Sequence, residues 1–399
     1  MSFLKKITVL MAMGFIIAGL YSLPAQAEVI TIDQAKALAS SNSRTLAQYQ
    51  LNTKKASYQI DQLEQQQTET SSILDSILDQ YQDIKQQIAD LQEAEGDNTQ
   101  AISELEEQLD KLEESIDSQI DSISSANDSV EDSENNYEDK EISEANYKKK
   151  LDYEVEKLYT SVLNQIISLE TAELQQQVAE IELQMENTRL KLGSSTQSTV
   201  YEKSRSLTDC EQNITSIEQN IRSAKGTLND IMGRDYDADL ELADFVWTST
   251  LNTLEYSTLL DKALSRYQAL KDAKQAIEDA EDELEDTDDF YSSMILTLEI
   301  QEKKLALQDL ELELSQSVDN LIYEIAVQQQ DYKTAQLSCQ NAQQQYTWDK
   351  KRYELGQISK LTLLNSEISY KNAVKQQAAE NYALFLAEHS LELAEKGIL

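Results

Sequence analysis

The chain has 399 residues with 73 acidic and 34 basic side chains, and its formal net charge of −39 repels nucleic acid and anionic lipid surfaces, so neither is an expected partner. Its single histidine excludes a histidine-based triad and a multi-histidine zinc site. Because phosphate-binding glycine loops, Cys-x-x-Cys pairs and nucleophile elbows are also missing from the sequence, we expect no enzyme, no cofactor and no metal site.

Residues 1–27 have the features of a secretory signal peptide. Lys5 and Lys6 precede an apolar run over residues 7–20, and Ala25-Gln26-Ala27 offers a small-residue cleavage site. Without this segment 32 basic residues face 73 acidic ones, a net charge of −41. No later run reaches the roughly 18 apolar residues of a spanning helix, so we expect an exported protein of the cell envelope whose mature chain has no transmembrane span.

Helix breakers are almost absent after this segment, since the only proline is Pro24, and such a composition favours long helices. Apolar residues at alternating spacings of three and four form two coiled-coil seams, one on each side of Gly96. The seams are Ile77, Tyr81, Ile84, Ile88 and Leu91, and Ile102, Leu105, Leu109, Leu112 and Ile116. We therefore predict a helical hairpin with its bend at Gly96.

The next two predicted helices run from about Glu141 to Leu192 and from about Ser198 to Met232. Gly193 and Gly233 follow them, and glycine permits the left-handed conformation with which many helices end. Residues 235–256 mix turn and apolar residues, so we predict an irregular linker between two halves.

The second half repeats this plan with a shorter hairpin. A predicted helix starts near Ser257, an acidic turn follows at 286–289, a helix of about 65 residues ends at Gly356, and a last helix reaches about Lys396. The run 291–300 is the best candidate for a strand, but it has no partner run. The predicted fold class is therefore all-α.

Residues 189–193 and 352–356 share the pattern Arg-x-x-Leu-Gly. A cationic last turn followed by glycine is common in plain helix C-caps. Because the pattern recurs at the corresponding place in both halves, we favour turns that dock a partner protein over bare caps.

The order of these motifs resembles the TolC family of trimeric outer-membrane export channels. The repeat openings are similar at Ala35, Leu38, Ala39, Asn42 and Leu46 in the first half, and at Ala263 and Leu270 in the second. The close of the first repeat is similar at 228–244, and the second turn at 352–364. The resemblance implies two tandem repeats of long antiparallel helical hairpins, at 28–234 and 257–399.

The resemblance also implies a homotrimeric helical conduit that docks a membrane-fusion adaptor and an inner-membrane pump, either an ABC or a proton-driven one. The implied docking turns contain Arg189, Leu192 and Gly193 in the first half, and Arg352, Tyr353, Leu355 and Gly356 in the second. A non-conducting structural or adhesive coiled-coil protein of the envelope is the alternative. A periplasmic adaptor is less favoured, because the sequence offers no flanking β-domains.

Two departures from the family pattern affect this reading. The implied tunnel-mouth positions carry Thr199, Thr362 and Asn365, so a closed mouth would lack the family's carboxylate ring. The alternation typical of membrane strands is also missing, while the first hairpin is longer than the second by about 30 residues on each arm. We therefore predict a coiled-coil extension, at about 65–140, in place of the family's β-barrel strands.

Cys210 and Cys339 each lie 17 residues from a turn glycine, so their sulfurs would be level if the two turns were. An exported protein permits a disulfide between them. Separate burial as small apolar side chains is the other reading. His389 is predicted to be an ordinary surface or packing residue, and Trp247 and Trp348 are predicted to be packing anchors.

Overall fold

The structure is a computed structural model that describes residues 29–93, 98–249 and 256–398, and within these residues it contains eight helices and two short strands. In chain order they are β1 (Val29–Ile30), α1 (Ile32–Asn42), α2 (Arg44–Glu93), α3 (Thr99–Lys191), α4 (Gln197–Ile231), β2 (Glu241–Leu242), α5 (Tyr256–Arg266), α6 (Gln268–Glu285), α7 (Phe290–Glu354) and α8 (Lys360–Ala394). The predicted signal peptide and the predicted bend at Gly96 lie outside the described residues.

The longest element is α3, with 93 residues and no glycine or proline among them. At about 1.5 Å per residue it spans roughly 140 Å. The predicted start of a new helix near Glu141 is wrong, because no breaker separates it from the arm before it and the helix continues. The predicted strand candidate at 291–300 lies inside α7.

Each half of the chain forms an antiparallel helical hairpin. The first pairs α2 with α3, where the Tyr81 hydroxyl lies 2.6 Å from a Glu113 carboxylate oxygen; the second pairs α6 with α7, where Lys304 Nζ lies 2.5 Å from Glu281. α2 has 50 residues and α6 has 18, while α3 has 93 and α7 has 65. The ascending and descending arms of the first hairpin are therefore longer by 32 and 28 residues. This confirms the predicted all-α fold with a coiled-coil extension on the first hairpin.

Below the hairpins, four helices lie side by side. α3 packs on α4 and on α8, and α8 packs on α7. α4 and α7 are therefore the outer members of the row α4–α3–α8–α7.

Both hairpins begin with a short helix and a sharp break that the sequence analysis did not predict. Ser43 separates α1 from α2 with φ −67° and ψ 112°, and Tyr267 separates α5 from α6 with φ −69° and ψ 114°. Each break receives the end of the last helix of its own half: Gly233, after α4, contacts Asn42, and Gly397, after α8, contacts Arg266. The two halves thus repeat in their joints as well as in their helices.

The largest apolar core lies at the middle of the molecule, where the N-terminal segment, α3, the end of α4 and the linker meet. β1 and β2 pair in parallel there, with Val29 opposite Glu241. The hydroxyl of the fully buried Tyr159 lies 2.8 Å from the Ile30 carbonyl oxygen and 2.7 Å from that of Ala243. In its described part, residues 235–249, the linker is irregular apart from β2, and it contributes Leu240, Leu242 and Phe245 to this core.

The linker also joins α8 to this core. Trp247 Nε1 donates to Glu388 at 2.8 Å, its backbone N–H donates to Asn381, and its ring lies edge-on to Phe385. Trp247 is therefore a packing anchor, as predicted. The same prediction is wrong for Trp348, whose side chain is 59% exposed on α7.

His389 of α8 connects the second half to the first through one buried carboxylate. Its Nδ1 lies 2.6 Å from Glu156 of α3, which is 3% exposed, and Glu156 also accepts from Lys36 of α1 at 3.0 Å. A buried carboxylate is costly without partners, and these two contacts supply them. His389 is thus a packing residue that joins three helices.

Candidate docking turns

The two predicted docking turns have the same backbone construction. In the first, Gly193 has φ 72° and the Ser194 N–H donates to the Arg189 carbonyl at 2.8 Å. In the second, Gly356 has φ 69° and the Gln357 N–H donates to the Arg352 carbonyl at 2.8 Å. With a second bond from each glycine N–H, both are Schellman motifs, and the positive φ favours glycine.

Each turn passes into the next helix through a side-chain cap of the same design. Thr196 accepts the backbone N–H of Thr199 at 3.3 Å, and Ser359 accepts that of Thr362 at 3.1 Å. The capping hydroxyl also lies about 3 Å from the hydroxyl of its partner threonine in both turns. The predicted tunnel-mouth residues Thr199 and Thr362 therefore occupy equivalent places, three residues into α4 and α8. Asn365 is exposed almost one turn later.

A buried acid precedes each turn arginine by three residues, and the sequence analysis missed both acids. Glu186, 8% exposed, accepts from Arg189 at 2.5 Å and from the Ser195 hydroxyl at 2.7 Å. Asp349, 6% exposed, accepts from Gln345 at 2.8 Å and from Arg352 at 3.2 Å. The repeated spacing acid-x-x-Arg-x-x-Leu-Gly was the sequence signal that could have revealed them.

These contacts lower the pKa of both carboxyls below their ordinary values. For Glu186 the hydrogen bond from Ser195 is the largest cause, followed by that from Arg189. For Asp349 the largest cause is the hydrogen bond from Gln345. Both acids are therefore held ionised, and they fix the arginines against their own helices.

The apolar side chains of the turns point to solvent. Leu192 is 77% exposed and Leu355 is 72% exposed. Tyr353 is partly exposed, with Lys360 Nζ 5.9 Å from its ring centroid. A Cβ added to Gly193 or Gly356 would meet no atom within 4 Å. Each turn is thus rigid and exposed, with one leucine side chain pointing to solvent.

The two turns do not lie at the same height. Contacts between α3 and α8 join Glu170 to Lys371 and Glu156 to His389. The α3 residues of these pairs lie four to eight residues further from their turn glycine than the α8 residues do. At about 1.5 Å per residue the first turn extends roughly 6–12 Å beyond the second.

The stagger also bears on the two cysteines, whose equal distance from the turns does not place their sulfurs level. Both are free thiols in this structure. Cys339 is buried and Cys210 is half-buried. Burial raises the pKa of both thiols above the ordinary value.

Across the residues that the structure describes, every helix is too short or too polar to cross a bilayer.

Comparison with solved structures identifies the fold. The outer-membrane channel OprN matches with a TM-score of 0.55 and 10% sequence identity over 92% of this chain and 90% of that chain. A membrane protein from Pseudomonas aeruginosa matches with a TM-score of 0.52 and 12% identity over 89% and 93% of the two chains. The Campylobacter jejuni CmeC outer membrane channel matches with a TM-score of 0.51 and 11% identity over 68% of each. At such identities the similarity shows a shared fold.

Sequence comparison adds no assignment. No protein-family model matches the chain, and no curated protein matches it either.

Proposed function

We propose that this protein is the envelope conduit of an efflux or export system similar to the TolC family, a homotrimer that docks a membrane-fusion adaptor and an inner-membrane pump. The shared fold with outer-membrane channels over most of the chain supports this proposal. The observation that carries it is the pair of identically built turns. Two turns per chain give six in a trimer, which suits docking to a ring of adaptor subunits.

The construction of the turns suits recognition by another protein. The Schellman motif, the side-chain cap and the buried acid hold each turn in one conformation before any partner arrives, so little ordering entropy is lost on binding. Leu192 and Leu355 then offer apolar anchors surrounded by polar groups. Interfaces concentrate their binding energy in a few such anchors.

The row of four helices suits a tubular wall. Because α4 and α7 are its outer members, a second copy placed beside the first continues the row, and rotation closes it into a ring. The proposed mechanism is passive. The pump supplies the energy, and the helical wall guides the substrate across the envelope.

The turns provide the sharpest test. We expect Leu192→Glu with Leu355→Glu to abolish export in a deletion strain and to reduce co-purification of the adaptor by at least about tenfold. Ile73→Glu, at another exposed apolar residue, is the matched control and should leave both unchanged. Full export by the double variant would overturn docking through these turns.

The alternative role, a non-conducting structural or adhesive coiled coil, predicts a different deletion phenotype. Tolerance of drugs and peptides would be unchanged while surface attachment is altered. Electron microscopy of the purified assembly separates the two roles, since a conduit is a hollow three-fold tube and a structural bundle has no lumen.

A further inference from the structure

A cavity of about 740 Å³ lies where the break between α1 and α2 meets α3 and the end of α4. Arginines and acids line it together. They are Arg44 at the break, Glu154 of α3, Asp230 near the end of α4, and Arg234 just after that helix. Cavities that hold small molecules have volumes of roughly 300–1,000 Å³, so the size of this cavity suits such a ligand.

The guanidinium group of Arg234 is only partly hydrogen-bonded. Its Nη2 donates to the Asp239 carbonyl oxygen at 2.8 Å, and this bond fixes the position of the group. Its Nη1 is buried and has no acceptor among the residues that the structure describes. A buried donor without an acceptor is costly, and the cost is larger for a charged group. The Nη1 atom therefore indicates a place for an acceptor that this part of the chain does not supply.

Arg44 supplies a second cation to the same cavity. It is the first residue of α2, where the helix end adds partial positive charge. No carboxylate oxygen of the described residues lies within 4.0 Å of a guanidinium nitrogen of Arg44 or Arg234. By contrast, Arg222 of α4 lies 2.8 Å from Asp237. Because the planar guanidinium matches the geometry of a carboxylate, the two arginines suit a ligand with such a group.

The two acids of the cavity restrict the class of anion. Glu154 and Asp230 are exposed, and neither forms an ion pair within the described residues. Two carboxylates repel an anion of high charge, such as phosphate or sulfate, and they attract an ammonium group. A small ligand that carries one carboxylate and one ammonium group matches both signs of the lining. Leu151 and Ile231 add apolar surface on which its side chain packs.

We propose that this cavity is a binding site for a small zwitterion of the amino-acid type, whose carboxylate accepts from Arg234 Nη1 and from Arg44. The ammonium group of the ligand faces Glu154 and Asp230. Because the lining comes from the α1–α2 break, α3 and the end of α4, the bound ligand fastens these elements together and stabilises the fold. This inference goes beyond the proposed conduit and does not require it.

Calorimetric titration of the full mature chain with L-leucine tests the site. Two analogues separate the charges of leucine, since isocaproate keeps only the carboxylate and isoamylamine keeps only the ammonium group. We expect leucine to bind and to raise the Tm, and each analogue to bind at least about tenfold more weakly. A parallel titration with L-leucyl-L-leucine distinguishes the two sources of this chemistry: tighter binding of the dipeptide assigns the site to short peptides, and weaker binding assigns it to free amino acids.

Substitutions in the lining locate the bound ligand. Arg234→Lys keeps the charge and loses the planar fork, and Arg44→Gln removes an exposed charge, so each should weaken leucine binding at least about tenfold. Glu154→Gln should weaken the binding of leucine and strengthen that of isocaproate. Arg205→Gln, at an exposed arginine of α4 outside the cavity, is the matched control and should bind leucine as the unaltered protein does. Circular dichroism should show unchanged helicity for Arg44→Gln, because its side chain is exposed.

Four outcomes would overturn the site. Leucine binding that Arg234→Lys and Arg44→Gln leave unchanged would place the ligand elsewhere. Equal affinity for leucine and isocaproate, or binding of inorganic phosphate alone, would reject the zwitterion. No heat from leucine or the dipeptide at up to about 10 mM would mean that water alone satisfies Arg234. A change of oligomeric state in Arg234→Lys, without leucine binding to the unaltered protein, would assign the arginine to a contact between copies.

Discussion

Asn42 and Gly233 are in direct contact, although 190 residues separate them. Asn42 Nδ2 donates to the Met232 carbonyl at 2.9 Å, and Gly233 follows with φ 71° and its Cα against the Asn42 side chain. The contact fastens the end of α4 to the break between α1 and α2. Gly193 has nearly the same φ but open space around it. Substitutions at the two glycines therefore share the same backbone strain and differ only in steric overlap with neighbouring atoms.

Alanine at these two glycines should therefore destabilise the protein by different amounts. Gly193→Ala introduces only the left-handed strain of a residue with a Cβ, about 1–2 kcal/mol. Gly233→Ala adds an overlap with Asn42, and overpacking of this kind typically costs about 1–3 kcal/mol more. Urea unfolding followed by circular dichroism measures both. Equal losses in the free energy of unfolding would show that the Asn42 side chain moves aside without cost.

Alkaline pH should weaken the central core through Tyr159. Burial raises the pKa of its hydroxyl to about 12, so the folded state holds a proton that the unfolded chain releases near pH 10. The stabilisation is complete below pH 10 and declines as pH rises to about 12, by on the order of 2 kcal/mol. Tyr159→Phe should reduce this alkaline slope, and the remainder comes from the buried Tyr382, whose pKa burial also raises. If the free energy of unfolding of the variant fell with alkaline pH as steeply as that of the unaltered protein, Tyr159 would not be a cause of the alkaline loss of stability.

Acid should weaken the turns through Glu186. Its lowered pKa means that the ionised carboxylate stabilises the fold above its unfolded pKa of about 4.3, and that this stabilisation is lost as pH falls further. Glu186→Gln should therefore lower the Tm at pH 7, and its difference from the unaltered protein should narrow as pH falls from 7 to 3. Glu202→Gln, an exposed neighbour on α4, should show no such pH-dependent difference. A gap that persists at pH 3 would mean that the side chain acts through packing alone.

The two thiols should be present and slow to react. Burial raises the pKa of Cys210 and Cys339, and thiolate is the reactive form, so Ellman's reagent should modify both at least about tenfold more slowly than a free thiol. Cys339 should be the slower, being 8% exposed. Unfolding without reductant should release two thiols per chain. Finding none would mean that they pair.

The sequence was sufficient for features that depend on local chemistry. Gly193 and Gly356 end their helices as predicted, since only glycine accepts the left-handed conformation without strain. The equal lengthening of both arms of the first hairpin was also readable, because residue counts convert directly into helix length.

Features that depend on distant contacts were not readable. Ser43 and Tyr267 break their helices without glycine or proline, since each break is held by a helix end from elsewhere in the same half. The linker was predicted only as irregular, because its role depends on burial of Phe245 and Trp247 against α8. Glu186 was missed because an acid on a long polar helix is ordinarily solvated.

The placement of the main apolar core gives this rod an uneven resistance to opening. Twelve buried residues cluster where the linker crosses α3, whereas the extension of α2 beyond Ala56 buries only Ile88. Amide hydrogens should therefore exchange fastest at the two ends of the long helices and slowest in the main apolar core. Under a force along its length the molecule would unfold from its two ends inward, and the region of the main apolar core would be the last to unfold.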